Sequence, residues 1–353
     1  MFTFVNTILK LKCKLLMYNV IKGEKMAVNI SIISACNNNC DYCFQRNSYH
    51  NSGDMLSYEE IENILKWSKG APIVRVLGGE ATLHPDIIKI NQRISEEFEL
   101  GFFTNLLCDT KKLKELLKIN YAFWLVNTTT RDELVDLFDE NMKLLNKVSI
   151  LPVGLGATLT SDLEQDEKYI RRLCKIAKQY PRITKNLRIA LATPCHDQEY
   201  KLVNFDKSIE LFYEISKKEV PLTSISFDCA VNGCGISYEC FNKVIQDYRT
   251  SNITYECPAE FTIDIMADKS INFCGSVPEE IIPIKRYDYF PSWVEAGNYL
   301  NSIKYEITQR FHKICCEDKI CSSPICQGVC FAAAANLLKQ SGKHPELFKF
   351  TKD

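Results

Sequence analysis

Ala27-Val-Asn-Ile-Ser-Ile-Ile-Ser-Ala35 runs directly into Cys36-Asn-Asn-Asn-Cys40-Asp-Tyr-Cys43, and this stretch decides the fold. Its first half is apolar and β-branched, the pattern of a buried strand. Its second half packs three thiols into eight residues on the loop that leaves the strand's carboxyl end. Three thiolates can hold three irons of a 4Fe-4S cube and leave the fourth iron open for chemistry. A structural cluster or a structural zinc site normally shows four protein ligands, and the fourth is missing locally. Loops at the carboxyl ends of strands are where α/β barrels keep their active sites.

Ile73-Val-Arg-Val-Leu77 reads as the next strand and ends in Gly78-Gly79-Glu80. Two glycines let backbone approach a ligand closely, and a carboxylate beside them can accept hydrogen bonds from an ammonium group. The CxxxCxxC run, with Tyr42 before its last cysteine and GGE after the following strand, resembles the radical S-adenosylmethionine (SAM) superfamily. The resemblance implies a partial (β/α)6 TIM-like barrel. It implies a 4Fe-4S cluster on Cys36, Cys40 and Cys43, whose open iron chelates SAM, with Tyr42, Gly78, Gly79 and Glu80 lining the SAM site. It also implies a flavodoxin- or ferredoxin-type electron donor and reductive cleavage of SAM to a 5'-deoxyadenosyl radical that takes hydrogen from a substrate. Zinc or a disulfide would leave the cysteine triplet incomplete.

Composition agrees with a cytoplasmic enzyme. The chain has 353 residues, room for one large barrel and a smaller module. Its 43 basic and 44 acidic residues leave a net charge of -1, so no basic field argues for nucleic acid or a membrane surface. The 17 cysteines, an odd number, cluster at 36–43, 229–240 and 315–330, with Cys257 and Cys274 between, as expected of metal loading in a reducing compartment. Residues 1–26 are apolar with interspersed lysines and read as an extra helix or hairpin before the barrel, with Met26 an alternative start. They are not a signal peptide, because Lys10, Lys12 and Lys14 interrupt the apolar run instead of preceding it. No run of about 18 apolar residues offers a membrane span.

Strand-like and helix-like patterns then alternate as repeated βα units. Ser57-Tyr-Glu-Glu60 is a capping box for a helix that presents Ile61, Ile64 and Leu65 on one face. Pro85 and Asp86 open a second helix. Further strands are expected at 100–104, 121–127, 149–159 and 187–193, with helices at about 110–118, 131–146, 163–179 and 203–217. The barrel thus occupies 27–230. Polar residues at its strand ends are candidate SAM contacts: Thr104-Asn105, Thr158, and above all Asn127, where the family places a polar residue near the ribose. Each can instead cap the next turn. Cys195, just after the sixth strand, is either a packing thiol or a hydrogen-atom donor of the kind the family's epimerases use.

Residues 231–353 hold Cys257 and Cys274, then Cys315, Cys316, Cys321, Cys326 and Cys330. This set resembles the SPASM/twitch extension, which implies one or two auxiliary iron-sulfur clusters, with Cys229, Cys234 or Cys240 available as a further ligand. Residues 261–274 read as two short strands around a turn, although Lys269 stands where the family usually has glycine. Zinc on the same thiols is the alternative. Members with the extension commonly modify peptides or proteins by thioether or carbon-carbon crosslinking, oxidation or epimerisation. A peptide or protein substrate is therefore expected first, dehydrogenation or rearrangement of a small molecule such as an aminosugar second. A non-catalytic iron-sulfur electron carrier is the reading of another class.

Overall fold

The computed structural model describes residues 27–38, 40, 42–43, 51–129, 131–148, 153–192, 203–228, 236–247, 249, 262–272, 274 and 285–303. The 1–26 extension, Cys195, Cys229, Cys234, Cys257, Cys315, Cys316, Cys321, Cys326 and Cys330 lie outside them.

The strands are β1 (Ala27–Ser31), β2 (Ile73–Leu77), β3 (Glu99–Thr104), β4 (Phe123–Asn127), β5 (Val153–Leu159), β6 (Thr184–Leu191) and β7 (Ser224–Phe227). Between them run α1 (Tyr58–Trp67), α2 (Ile87–Ser95), α3 (Thr110–Leu116), α4 (Val135–Val148), α5 (Leu163–Gln179) and α6 (Asp206–Glu219). After β7 come α7 (Tyr238–Ile245), β8 (Thr262–Ile265), β9 (Ser270–Asn272), β10 (Lys285–Arg286) and a last helix, α8, at 293–303. One ten-stranded sheet results, in the order β10-β9-β8-β1-β2-β3-β4-β5-β6-β7. From β8 to β7 all neighbours are parallel, and among the described strands the β8–β9 and β9–β10 pairs are antiparallel. The sheet is open, a partial barrel, with β7 at one edge and the β8–β10 meander at the other.

Local chemistry accounts for the element ends. Ser57 Oγ accepts from Glu60 N at 3.2 Å and Ser57 N donates to Glu60 Oε2 at 2.8 Å, so the capping box that opens α1 is complete. Asp109 and Asp162 accept from the first free backbone N–H groups of α3 and α5. α2 starts two residues later than Pro85 suggests, because His84 Nδ1 accepts from Asp86 N and holds that turn outside the helix. Ile61, Ile64, Ile87, Ile90, Ile94, Leu113 and Leu116 press the helices against Val28, Ile30, Val74, Val76, Leu100 and Phe102 of the strands.

The other face of each strand points into the barrel and mixes polar or small residues, Asn29, Arg75, Gly101, Asn127, Gly154, Gly156, Asn186 and Arg188, with the apolar Phe103, Phe123 and Leu125. This inner face explains why β6 begins at Thr184 and not at 187. Lys185 and Asn186 break the apolar pattern, yet Val153 pairs with Thr184 and Gly154 with Asn186. The hairpin at 262–272 forms as read from the sequence, but its first strand joins the barrel sheet, pairing Asn29 with Asp264 and Ile30 with Ile265.

Candidate active site

The carboxyl ends of β1 and β2 are fastened together by backbone. Ile32 N donates to Leu77 O at 2.9 Å, Gly79 N to Ile33 O at 2.8 Å and Glu80 N to Ala35 O at 2.8 Å. The double glycine is a requirement of this contact. A Cβ on Gly79 would stand 2.2 Å from Ser34 O and 2.4 Å from Ala35 O, and one on Gly78 would stand 2.5 Å from Ile33 O. The close approach that the glycines allow is to the chain's own cysteine-bearing loop.

Glu80 is correspondingly turned inward. Its buried carboxylate accepts from Thr82 N (3.1 Å), Thr82 Oγ1 (2.6 Å), Thr104 Oγ1 (2.7 Å) and Asn105 N (2.7 Å). Burial raises its pKa, and those four donors pull the other way. Both carboxylate oxygens are thus engaged within the protein, and Glu80 organises the rim. Asn105 links that anchor to the cysteine loop. Its Oδ1 accepts from Leu107 N at 2.9 Å, while its Nδ2 donates to Asn37 Oδ1 at 2.8 Å and reaches Cys36 Sγ at 3.9 Å.

Cys36, Cys40 and Cys43 are half-buried thiols at this rim. Asn38 Nδ2 donates to Cys40 Sγ at 3.0 Å, and Thr129 Oγ1 donates to Asn38 Oδ1 at 2.7 Å. Asn37 Nδ2 donates to Leu107 O at 2.8 Å, and Cys43 N closes a turn on Cys40 O at 3.2 Å. Amide donors aimed at sulfur suit thiolates that carry charge onto iron. Among the described residues no three His, Cys, Asp or Glu side chains converge on a single-ion site. A cube that takes one thiolate per iron asks for no such convergence. The donor set therefore fits a 4Fe-4S cluster. Tyr42 packs edge-on against Tyr169 with ring centroids 6.4 Å apart, and burial, then the Cys40 thiol, holds its phenol well above its ordinary pKa.

The remaining strand-end candidates surround the same opening. Asn127 is exposed on the inner face, and its Oδ1 occupies the space a Cβ on Gly156 would need, at 2.2 Å. Thr158 is half-buried two residues further along β5. Thr104 serves Glu80. Asn38 and Thr129 carried no strand or motif signal that singled them out. His84 bridges Leu56 O and Asp86 N, the cap role its surroundings favour.

Other described thiols are in different settings. Burial pushes Cys108, Cys174 and Cys240 each up to about 12. Cys240 lies inside α7 and its buried thiol donates to Asp206 O at 3.6 Å. Cys274 is half-buried after β9. Lys269, in the β8–β9 turn, has φ of 73°, the left-handed conformation that glycine adopts freely. Its ammonium bonds Glu60 Oε1 at 2.5 Å.

Residues 30–191 match the Radical SAM superfamily. The chain carries a radical SAM domain. A 4Fe-4S cluster and SAM are the cofactors of that domain. A probable GTP 3',8-cyclase of Pyrococcus abyssi is 30% identical over 155 residues, covering 40% of this chain and 49% of that one. The Thermoplasma volcanium protein of the same description is 25% identical over 160 residues, 40% of this chain and 48% of the relative. An S-adenosylmethionine-dependent nucleotide dehydratase of Selenomonas ruminantium is 34% identical over 79 residues, 22% of this chain and 29% of its own length. The chain thus spans half or less of these relatives. Streptococcus suis SuiB bound to S-adenosylmethionine superposes with a TM-score of 0.57 at 16% identity, covering 77% of this chain and 65% of SuiB, and shares the fold. No described helix is long and apolar enough to cross a membrane.

Proposed function

We propose that this chain is a radical SAM enzyme acting on a peptide or protein, with crosslinking, oxidation or epimerisation as the outcome. The observation that carries the reading is the pinned loop: three half-buried thiols with amide donors beside them, held against Gly78-Gly79 at the open end of the sheet. Cys36, Cys40 and Cys43 would hold the cluster; Tyr42, Gly78, Gly79, Asn127 and Thr158 line the space where SAM would lie. Cluster and SAM, when bound, supply a 5'-deoxyadenosyl radical for hydrogen abstraction. The protein's own residues position these groups and exclude water around them. Glu80, Thr104 and Asn105 fix the rim.

Support for a peptide comes from the fold likeness to SuiB, which extends past the matched domain and includes a structure of SuiB bound to precursor peptide SuiA, with a TM-score of 0.55 at 15% identity over 74% of this chain. A small-molecule substrate is the second reading, favoured by the relatives described as acting on nucleotides. We read 27–230 as the barrel and 231–353 as an auxiliary-cluster module whose β8 adds to the barrel sheet. Cys257, Cys274, Cys315, Cys316, Cys321, Cys326 and Cys330 supply its ligands, and Cys195 remains a candidate hydrogen-atom donor.

The test is anaerobic reconstitution with a reductant and SAM. Wild-type protein should form 5'-deoxyadenosine, and the Cys36/Cys40/Cys43→Ala variant should form none and lose about four irons per chain. Product from the triple variant would overturn the reading, and absence of product from the wild type would favour an electron carrier. The iron left in the variant, roughly four to eight per chain if auxiliary clusters are present, separates them from zinc.

A further inference from the structure

The amino-end half of the barrel holds a cavity of about 370 Å³ whose lining includes Arg75 of β2, Arg188 and Lys185 of β6, Phe103, Phe123 and Gly154. The Arg75 guanidinium lies 6.0 Å from the Phe123 ring centroid and the Arg188 guanidinium 5.4 Å from that of Phe103. A guanidinium over a ring leaves its N–H edge available for an oxyanion. Gly101 makes the arrangement possible, since a Cβ there would stand 2.7 Å from the Phe123 ring and 3.0 Å from the Arg75 side chain.

Charge and hydrogen bonding inside the cavity are incomplete. Arg75 Nε is buried and makes no hydrogen bond, a costly state for a cationic donor. The carboxylate of Asp264 on β8, which attracts the Arg75 guanidinium, is engaged by Asn29 Nδ2 at 2.5 Å. Arg188 is paired with Asp228, and Lys185 Nζ is turned to Pro181 O at 2.9 Å. Asn186 is satisfied by Ser224 and Ser226. Lys185 and Arg188 are thus engaged within the protein, and Arg75 Nε is left as a buried cationic donor with no hydrogen bond.

We infer that this cavity binds an oxyanion of the substrate, a carboxylate or a phosphate, between the Arg75 and Arg188 guanidiniums. The substrate part of the inference rests on the proposed function; the anion site does not. Arg75 lies two residues below the end of β2 and Arg188 three below the end of β6, so the anchor sits about 7–10 Å beneath the rim at roughly 3.3 Å per residue. The site therefore selects a substrate whose acidic group is several bonds away from the reacting carbon. A bidentate fork aligns that group as well as attracting it.

Calorimetric titration of the full chain with inorganic phosphate, and separately with succinate, at constant ionic strength tests the site. Saturable one-to-one binding is expected, weakened about tenfold or more in Arg75→Gln and in Arg188→Gln. Arg75→Lys, which keeps the charge and loses the fork, covers the case in which Arg75→Gln does not fold, and should weaken binding severalfold. Preference for phosphate assigns a phosphorylated substrate, and preference for succinate a carboxylate. No saturable heat from either anion, or unchanged affinity in folded Arg75→Lys and Arg188→Gln, overturns the inference. 5'-Deoxyadenosine formation by the same wild-type preparation separates the two claims. Cleavage without anion binding defeats this site alone, and binding without cleavage defeats the enzyme reading and leaves an anion site.

Discussion

The two ends of the barrel treat buried polar groups in opposite ways. At the rim, Glu80 is fully enclosed and every one of its four donors is inside the protein. At the floor, Arg75 Nε and Asn29 Oδ1 are buried without partners. A closed network of this kind holds one geometry, which is what three cysteines awaiting a cluster need. An open one keeps unmet hydrogen-bonding capacity that a ligand can satisfy.

The largest effect that would break this contrast is at the rim. Gly79→Ala places a methyl against the Ser34 and Ala35 carbonyls, both backbone, so the cysteine loop must move. A loss of about 3 kcal/mol is expected in urea unfolding, with poor iron retention. Wild-type stability in that variant would show that the loop is not held by this contact.

At the floor, burial pushes Asp264 up to about 6 from its ordinary 3.8, against the pull of the Asn29 hydrogen bond and of Arg75. The folded protein then holds this proton more tightly than the unfolded chain, so the stabilisation is present below about pH 4 and is lost as pH rises through about 6. Relative to Asp264→Asn, the wild type should lose about 2–3 kcal/mol across that window and stay level above it. Parallel pH–stability curves for the two proteins would remove Asp264 from the account.

Glu80→Gln comes next. An amide cannot accept from all four donors, and about 2 kcal/mol of stability should go, with SAM affinity changing only as far as the rim moves. If stability holds and only the SAM dissociation constant rises, Glu80 meets the ligand directly. Asn38→Ala removes the amide donor to Cys40 Sγ and should lower the cluster's reduction potential, read by redox titration with EPR. An unmoved potential would make Asn38 a loop spacer.

The smallest change is expected at Lys269→Gly. Glycine relieves a left-handed residue, worth about 1 kcal/mol, while the half-exposed pair with Glu60 contributes at most about as much. Thermal unfolding should shift by little, and a large loss would reveal that the ion pair fastens the hairpin to α1.

Much of this was legible in the chain, for identifiable reasons. β2 was read at its observed bounds because Ile73-Val-Arg-Val-Leu77 is β-branched and ends in a double glycine. The cap of α1 was readable because a capping box is a contact between residues three apart. β6 has a polar start at Thr184-Lys185-Asn186, so a search for apolar residues begins it late at 187, whereas apolar residues ahead of β4 and β5 begin those strands early, at 121 and 149. Departure from glycine at Lys269 was visible in the sequence, whereas its compensation by Glu60 was not, since the two are 209 residues apart.

The sequence by itself determined which atoms could meet iron, because ligand type and spacing are local properties of Cys36-Asn-Asn-Asn-Cys40-Asp-Tyr-Cys43. It determined the alternation of strands and helices in the same way, through periodicity and caps. Only the tertiary structure decided what Glu80 does, since its role depends on Thr104 and Asn105 arriving from the next strand. Only the tertiary structure brought Arg75 and Arg188 to one cavity and β8 to β1, because parallel pairing joins segments whose separation along the chain carries no local signal.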